Sequence, residues 1–505
     1  MTALPERADI VIVGSGIGGA TVAAGLAGTG ARIAILERGA HLGPHPDARD
    51  ARAIFRRGVF RPPETWRDAH GNRFNPGNYY YVGGNSKFYG AVLLRYRERD
   101  FAALEHADGL SPAWPFPYAT LEPWYARAEA MFEVRGAAGQ DPTEPWRSTP
   151  YAAPPVPDEA PIADARARLE RLGLHPFSLP LAVDIDRWLA GGLTPWDAYP
   201  NTNGGKHDAE TAPLAAALRH DRVSLHTGAL VGRIVLAPDG ARVAALEVRQ
   251  DGAMRRIAAD LFVLSAGAVN SAALLLRSAD TACPQGVANR SGVVGRYFMN
   301  HNCTAMLAID PRRRNRAIYQ KTLGLNDFYF DDGVGGPPLG NVQLLGKITA
   351  PILKAALPHV PERLLAPLAR RSFDWYLMSE DLPHPDSRVR VDGNDIVLDW
   401  RRSNMTGHAR LVAKMRAVFH AAGYPIVLAH PFDRRTPSHQ CGTVRMGDDS
   451  AAAALDPFCR AHDHRNLFVV DAGFLPTSAA VNPALTIAAQ ALRVADHIAG
   501  TGGSA

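Results

Sequence analysis

Cysteine is scarce in this chain. The four residues, Cys283, Cys303, Cys441 and Cys459, lie far apart and form no CxxC pair. That spacing argues against a disulfide framework and against a zinc site, and no metal centre is expected. Long hydrophobic runs are missing too: no stretch of 18 apolar residues occurs, so no membrane span is expected. The first residues, Met-Thr-Ala-Leu-Pro-Glu-Arg-Ala-Asp, carry neither a basic-then-apolar leader nor a twin-arginine pair, and the expected address is the cytoplasm. Charge of one sign is also lacking. The 55 Lys and Arg against 50 Asp and Glu leave +5 over 505 residues, and no Lys/Arg block marks a nucleic-acid footprint. The 46% hydrophobic and 21% charged content is ordinary for a folded protein and excludes a disordered or collagenous chain.

What is present begins at Asp9. The run DIVIVG to Gly14 is apolar and β-branched, the pattern of a buried parallel strand. Gly14, Gly16 and Gly19 follow as GxGxxG, then a small-residue helix over about 20–28, then a second strand over 32–36 closed by Glu37. The first glycine permits a tight turn, the second lets the backbone approach a pyrophosphate, and the third lets helix and strand pack closely. Glu37, 18 positions after Gly19, is placed to accept hydrogen bonds from a ribose diol. FAD and NAD both fit this fingerprint. NADP is the poorest candidate, because a carboxylate disfavours a 2′-phosphate.

Further strands are expected over 223–227, 232–236, 242–249, 261–266 and 467–471. Helices are expected over 114–129, 211–219, 269–277 and 483–497. From Gly295 to Thr436 the pattern reads as mixed strand and loop. Within it, Ala350 to Arg371 reads as an amphipathic helix pair packed on the body and broken near Pro358 and Pro361; the competing reading is a membrane-surface or subunit-contact helix. Nucleotide-type elements thus recur at the start, middle and end. The expected fold is α/β, with a discontinuous Rossmann-like dinucleotide-binding domain (1–115, 210–300, 436–505) and a substrate-binding α+β domain built on a β-sheet (116–209, 301–435).

Near the C-terminus stand Ser438-His439-Gln440-Cys441-Gly442-Thr443, then Asp471-Ala472-Gly473, then Val481-Asn482-Pro483-Ala484-Leu485-Thr486. With Gly83-Gly84-Asn85-Ser86, Trp114-Pro115 and Ser265-Ala266-Gly267-Ala268, these residues resemble the glucose–methanol–choline (GMC) family of FAD-dependent oxidoreductases. The resemblance implies that His439 is the active-site histidine facing the flavin, with Asn482 as its partner. It implies that Asp471 and Ala472 contact the diphosphate and ribityl chain, and that Pro483 and Thr486 open the helix approaching the pyrimidine end of the ring. By the same resemblance the Val231 backbone meets the adenine, while Gly83, Gly84, Asn85 and Ser86 lie beside the pyrophosphate and ring. Some members attach FAD through a histidine just after the Gly-Gly turn. Here Gly83 to Gly90 holds neither His nor Cys, so noncovalent FAD is expected.

The chemistry of these side chains agrees. Alcohol oxidation removes a hydroxyl proton and a hydride; a flavin accepts the hydride, and an imidazole suits the proton. A carboxamide such as Asn482 holds the same oxygen in place. Taken alone, His439 also reads as a loop residue and Asn482 as a helix N-cap before Pro483. The Gly-Gly-Asn-Ser-Lys-Phe-Tyr-Gly stretch is similar to the bacterial pyranose-oxidase-like and glycoside 3-oxidase branch. It implies oxidation of a secondary alcohol of a sugar or glycoside to a keto-sugar, with O2 or a quinone-like molecule as electron acceptor. The alternatives are a non-sugar alcohol, or a lyase on the same scaffold. Tyr79, Tyr80, Tyr81 and Trp375 are candidates for stacking on a sugar face or for the core. Cys441 reads as a small buried filler. His301, Asn302, Glu380 and Asp381 fall in substrate-side segments.

Overall fold

The run Ile10–Val13 (IVIV) is buried at every position and pairs in parallel with Ile33–Leu36 on one side and Leu261–Leu264 on the other. A strand apolar throughout has no face for water, so it belongs in the middle of a sheet covered on both sides. The computed structural model describes residues 4–436 and 439–501; Ser438, which opens the C-terminal motif, lies outside them. Among the described residues the parallel sheet runs Leu467–Val469, Leu261–Leu264, Ile10–Val13, Ile33–Leu36, Val223–His226. The fold is α/β with a Rossmann-like unit, as the strand–glycine–helix pattern leads one to expect.

The first helix spans Ile17–Leu26, starting three residues before the sequence suggests. Glycine inside a helix usually weakens it, but here glycine is needed for contact. A Cβ at Gly18 would stand 1.8 Å from the Val470 carbonyl oxygen, and one at Gly19 would stand 2.1 Å from that of Gly14. On the far side, a Cβ at Gly25 would reach the Ala495 Cβ at 2.6 Å, so this helix and Ala484–Gly500 touch almost backbone to backbone. The stretch over 211–219 is a π-helical turn, Glu210–Leu214, running into Ala215–Ala217.

A second, antiparallel sheet runs Ile426–Pro431, Asn302–Ile309, Ser372–Ser379, Asn341–Leu344, Leu323–Leu325, Phe177–Ser178. Across it lies a helix, Met405–Ala421, in the stretch expected to be strand and loop. Its Leu411, Met415 and Phe419 recur every fourth residue and pack with Phe373 and Trp375 of the sheet. Val412 and Val418 pack beside them, and the Lys, Arg and His between these positions hide the stripe in sequence. Trp375 is therefore core and does not reach a ligand. Residues 350–371 form two short helices, Ala350–Ala356 and Glu362–Ala369, packed through Leu353 and Leu365 onto Leu307 and Ile309. A small third sheet joins Trp66–Asp68 and Arg73–Phe74 to Arg388–Asp392 and Asp395–Asp399, bridging segments assigned to opposite sides by sequence. No helix of the described residues is long and apolar enough to cross a membrane.

Candidate active site

Between the two main sheets lies a cavity of about 1190 Å³. Single-ligand pockets usually hold roughly 300–1,000 Å³, so there is room for more than one small molecule. One end is lined by Gly14, Gly16, Glu37, Gly83, Gly84, Val231, Asp471 and Ala472. The other is lined by Ala305, Leu307, Lys321, Leu345, Tyr376 and Phe432. His439 and Asn482 belong to the same wall.

The first end fits a dinucleotide on three observations. The helix Ile17–Leu26 opens on the cavity with no side-chain cap and no acid in its first turn, leaving its N–H groups for a pyrophosphate. Gly16 has nothing within 4 Å of where its Cβ would be, whereas Gly14 and Gly19 are pressed against backbone carbonyls. So the second glycine keeps space for a ligand and the other two serve packing. Gly83 and Gly84, at φ +90° and +58°, turn the chain so that Gly84 comes up against Gly16 from across the cavity.

Glu37 is buried, with Oε2 accepting from Ser15 N (3.1 Å) and Oγ (2.6 Å) and Oε1 from Gly39 N (2.8 Å). It braces the glycine turn and keeps lone pairs for a diol. Asp471 accepts from Gly267 N (3.0 Å), Ser271 Oγ (2.6 Å) and Gly473 N (2.8 Å); burial raises its pKa against these bonds. Ser86 is a brace: its hydroxyl donates to Gly83 O and accepts from Ala209 N. Asn85 lines the cavity while its Oδ1 accepts from Tyr79 N. Pro483 lies on the wall, but Thr486 does not: it is fully buried with its hydroxyl 2.7 Å from that of Tyr125. The helix turns this side chain inward, while Pro483, Ala484 and Ile487 of the same helix start face the cavity. Tyr79 stacks on Phe88 at 3.7 Å, and Tyr79 and Tyr80 line the cavity.

His439 sits at φ +76°, an uncommon conformation for a side-chain-bearing residue that is often retained at functional sites. Its loop is anchored on the C-terminal side. Cys441 pairs with Met299 through two backbone bonds of 2.9 and 3.0 Å, and Thr443 Oγ1 donates to Ala268 O. Cys441 itself is a buried filler whose thiol burial pushes well above its ordinary pKa. The Asn482 Nδ2 lies 3.3 Å from His439 Nε2. Its Oδ1 accepts from Gln343 Nε2 (3.0 Å), which fixes the amide with its N–H groups toward the imidazole. Sequence reading missed Gln343, which sits alone in strand Asn341–Leu344. His439 is half-buried, yet desolvation is the largest influence on it; with His301 and Lys321 nearby, its pKa falls well below the ordinary value. The imidazole is therefore neutral at pH 7.

Of the other candidates, Asn302 donates to Ser403 O, Glu380 accepts from Ser111 Oγ and faces His106 at 3.1 Å, and Asp381 accepts from Trp400 and Ser403. These tie down the ends of two interior strands, Asn302–Ile309 and Ser372–Ser379. His301 alone reaches His439.

A cleft that fits a dinucleotide, with a histidine–carboxamide pair on its wall, has the form of an oxidoreductase site. Comparison gives the family: GMC oxidoreductase sequences match residues 192–303 and 383–491, and an NAD(P)-binding Rossmann-like domain matches 12–59. The chain is 30% identical to 6'''-hydroxyparomomycin C oxidase of Streptomyces lividus over 97% of its own length and 92% of that protein. It is 29% identical to paromamine 6'-oxidase of Streptomyces fradiae, covering 97% and 91% of the two chains. The crystal structure of pyridoxine 4-oxidase from Mesorbium loti superposes with a TM-score of 0.63 at 21% identity, covering 97% and 98%, and shares the fold. The protein belongs to the GMC oxidoreductase family and is an enzyme acting on CH–OH donors.

Proposed function

We propose that the protein oxidises a secondary alcohol of a sugar or glycoside to a keto-sugar, with noncovalently bound FAD and with His439 and Asn482 at the reacting hydroxyl. The observation carrying this is the 3.3 Å pairing of His439 Nε2 with Asn482 Nδ2 on the wall between the two ends of the cavity. When bound, the flavin supplies the hydride acceptor. The substrate oxygen settles between the pair, accepting from Asn482 Nδ2 while its proton passes to His439 Nε2. Gln343 keeps the amide from flipping. Asn85 and Asp471 remain on the cofactor side, with the glycines of both turns and the Val231 backbone. The division into a cofactor domain (1–115, 210–300, 436–505) and a substrate domain (116–209, 301–435) is part of the same reading, supported by the two sheets.

A sugar is favoured by the names of the aminoglycoside-oxidising relatives and by polar groups near the wall. Lys321 pairs with Asp197 at 2.9 Å and Lys347 with Asp374 at 2.9 Å. A second reading, a non-sugar alcohol, draws support from Leu307, Leu345, Ile348 and Ile352 on the same surface. O2 or a quinone-like molecule then takes the electrons.

Anaerobic stopped-flow mixing with paromamine, methyl glucoside and benzyl alcohol separates the readings: bleaching of a yellow protein by the first two supports a sugar, and by the last alone the alternative. His439→Ala is expected to slow bleaching by roughly 10²–10⁴-fold; an unchanged rate removes His439 from the chemistry. Turnover without bleaching points to a lyase. Acid precipitation that leaves the yellow colour in the protein pellet overturns noncovalent attachment.

A further inference from the structure

His301 and His439 lie 138 residues apart and meet because of backbone register. Met299 and Cys441 form an antiparallel bridge, so the residues two places on and two places back, 301 and 439, come opposite one another. Their Nδ1 atoms are 2.9 Å apart, with rings edge to face at 5.0 Å and 74°. The His301 Nε2 stands 2.9 Å from the carbonyl oxygen of Ser478. That carbonyl is held in place: it also accepts from Tyr96 OH (2.9 Å), while Ser478 Oγ is bonded to the Asp381 backbone on both sides. His301 is 1% exposed.

A carbonyl oxygen can only accept, so His301 Nε2 must carry a hydrogen. In neutral His301, Nδ1 is then a bare acceptor. The 2.9 Å contact therefore requires a hydrogen on His439 Nδ1, which leaves the lone pair of His439 on Nε2, the atom facing Asn482. We infer that His301 is a positioning residue that fixes the His439 tautomer, reading the Ser478 carbonyl out to the base through two imidazoles. The inference extends the proposed role of His439 as base and rests on it for its kinetic consequence, though the tautomer stands on geometry alone.

Burial keeps His301 neutral by lowering its pKa, against the Ser478 and Ala479 backbone and the charge of Glu380. The charged groups facing the pair are Lys321, beside His439, and Glu380, beside His301. When the substrate O–H bond breaks and an N–H bond forms at His439 Nε2, the new cation keeps its Nδ1–H directed at His301 Nδ1. A charge-assisted bond then stabilises it. The proton goes no further, because His301 Nε2 already carries its own and the carbonyl beyond takes none.

The test is nitrogen NMR of holoenzyme labelled with ¹⁵N-histidine, His439 being identified by the signals lost in His439→Ala. Wild type is expected to show a neutral ring protonated on Nδ1. His301→Gln keeps both functions, an amide oxygen for His439 and an amide N–H for Ser478, and retains that tautomer. His301→Leu removes both and shifts the proton wholly or partly to Nε2. In anaerobic reduction by methyl glucoside, His301→Leu is expected to lose roughly 10²-fold in rate with half-saturation little changed, and His301→Gln to recover most of it. A wild-type proton on Nε2, or an unchanged tautomer in His301→Leu, overturns the inference. If His301→Leu fails to hold flavin, the wild-type and His301→Gln spectra decide. Because the spectra need no substrate, failure of the sugar reading leaves this result intact.

Discussion

At the residue scale the site is an imidazole whose protonation is arranged by its surroundings. His439 is desolvated and has His301 and Lys321 beside it, and its pKa is lowered. A base is active when neutral, so the rate of flavin reduction should be level through pH about 6.5, the ordinary histidine value, and fall only at lower pH. A limb at or above that value in a pH series contradicts the reading. Asn482→Asp offers the complementary test. Its carboxylate can no longer donate to the substrate oxygen and places a negative charge by His439 Nε2, which raises the imidazole pKa. The expected result is a slower reduction whose acid limb has moved to higher pH; an unmoved limb separates the two side chains.

Elements carry the cofactor end, where three glycines of one fingerprint have different duties. Gly16 has free space beyond its Cα and an ordinary φ, so Gly16→Ala should fold with near wild-type stability while its methyl group obstructs the dinucleotide. Gly19→Ala drives a Cβ to 2.1 Å from Gly14 O and should destabilise the fold itself. Denaturant melts of apoprotein beside FAD titrations distinguish them; equal loss of stability in both would sink the distinction. Lys206 belongs to this scale as well. It is fully buried, and its Nζ donates to the carbonyls of Tyr89 (2.9 Å), Trp196 (3.2 Å) and Tyr199 (2.7 Å), tying two loops of the cavity wall together. Lys206→Met fills similar space but orphans the buried carbonyls of Tyr89 and Tyr199, while that of Trp196 keeps the Tyr199 N–H, and at about 1–3 kcal/mol for each should cost at least about 2 kcal/mol in urea unfolding.

For the whole molecule, the cavity lies where a parallel sheet from the chain's start, middle and end meets an antiparallel sheet from the stretches between. A ligand bridging both should stabilise the whole. FAD at 100 times its dissociation constant is expected to add about 2.7 kcal/mol to apoprotein stability. NADP should add little, because the ribose role proposed for Glu37 sets a carboxylate against a 2′-phosphate. Equal shifts in melting temperature with the two cofactors contradict that placement of Glu37.

The sequence alone determined what depends on neighbours along the chain. The all-apolar strands Ile10–Val13 and Leu261–Leu264, the glycine turn, and the small-residue helix are local patterns with local causes. The His439 and Asn482 motifs were legible through family resemblance. The helix Met405–Ala421 was not, because an apolar stripe among charged residues becomes decisive only when a sheet is there to cover it. Tertiary structure alone decided that Thr486 turns inward, that Gln343 orients Asn482, and that His301 stands behind His439. Those facts follow from strand register and helix rotation, which join residues more than a hundred positions apart and leave no periodic trace in the chain.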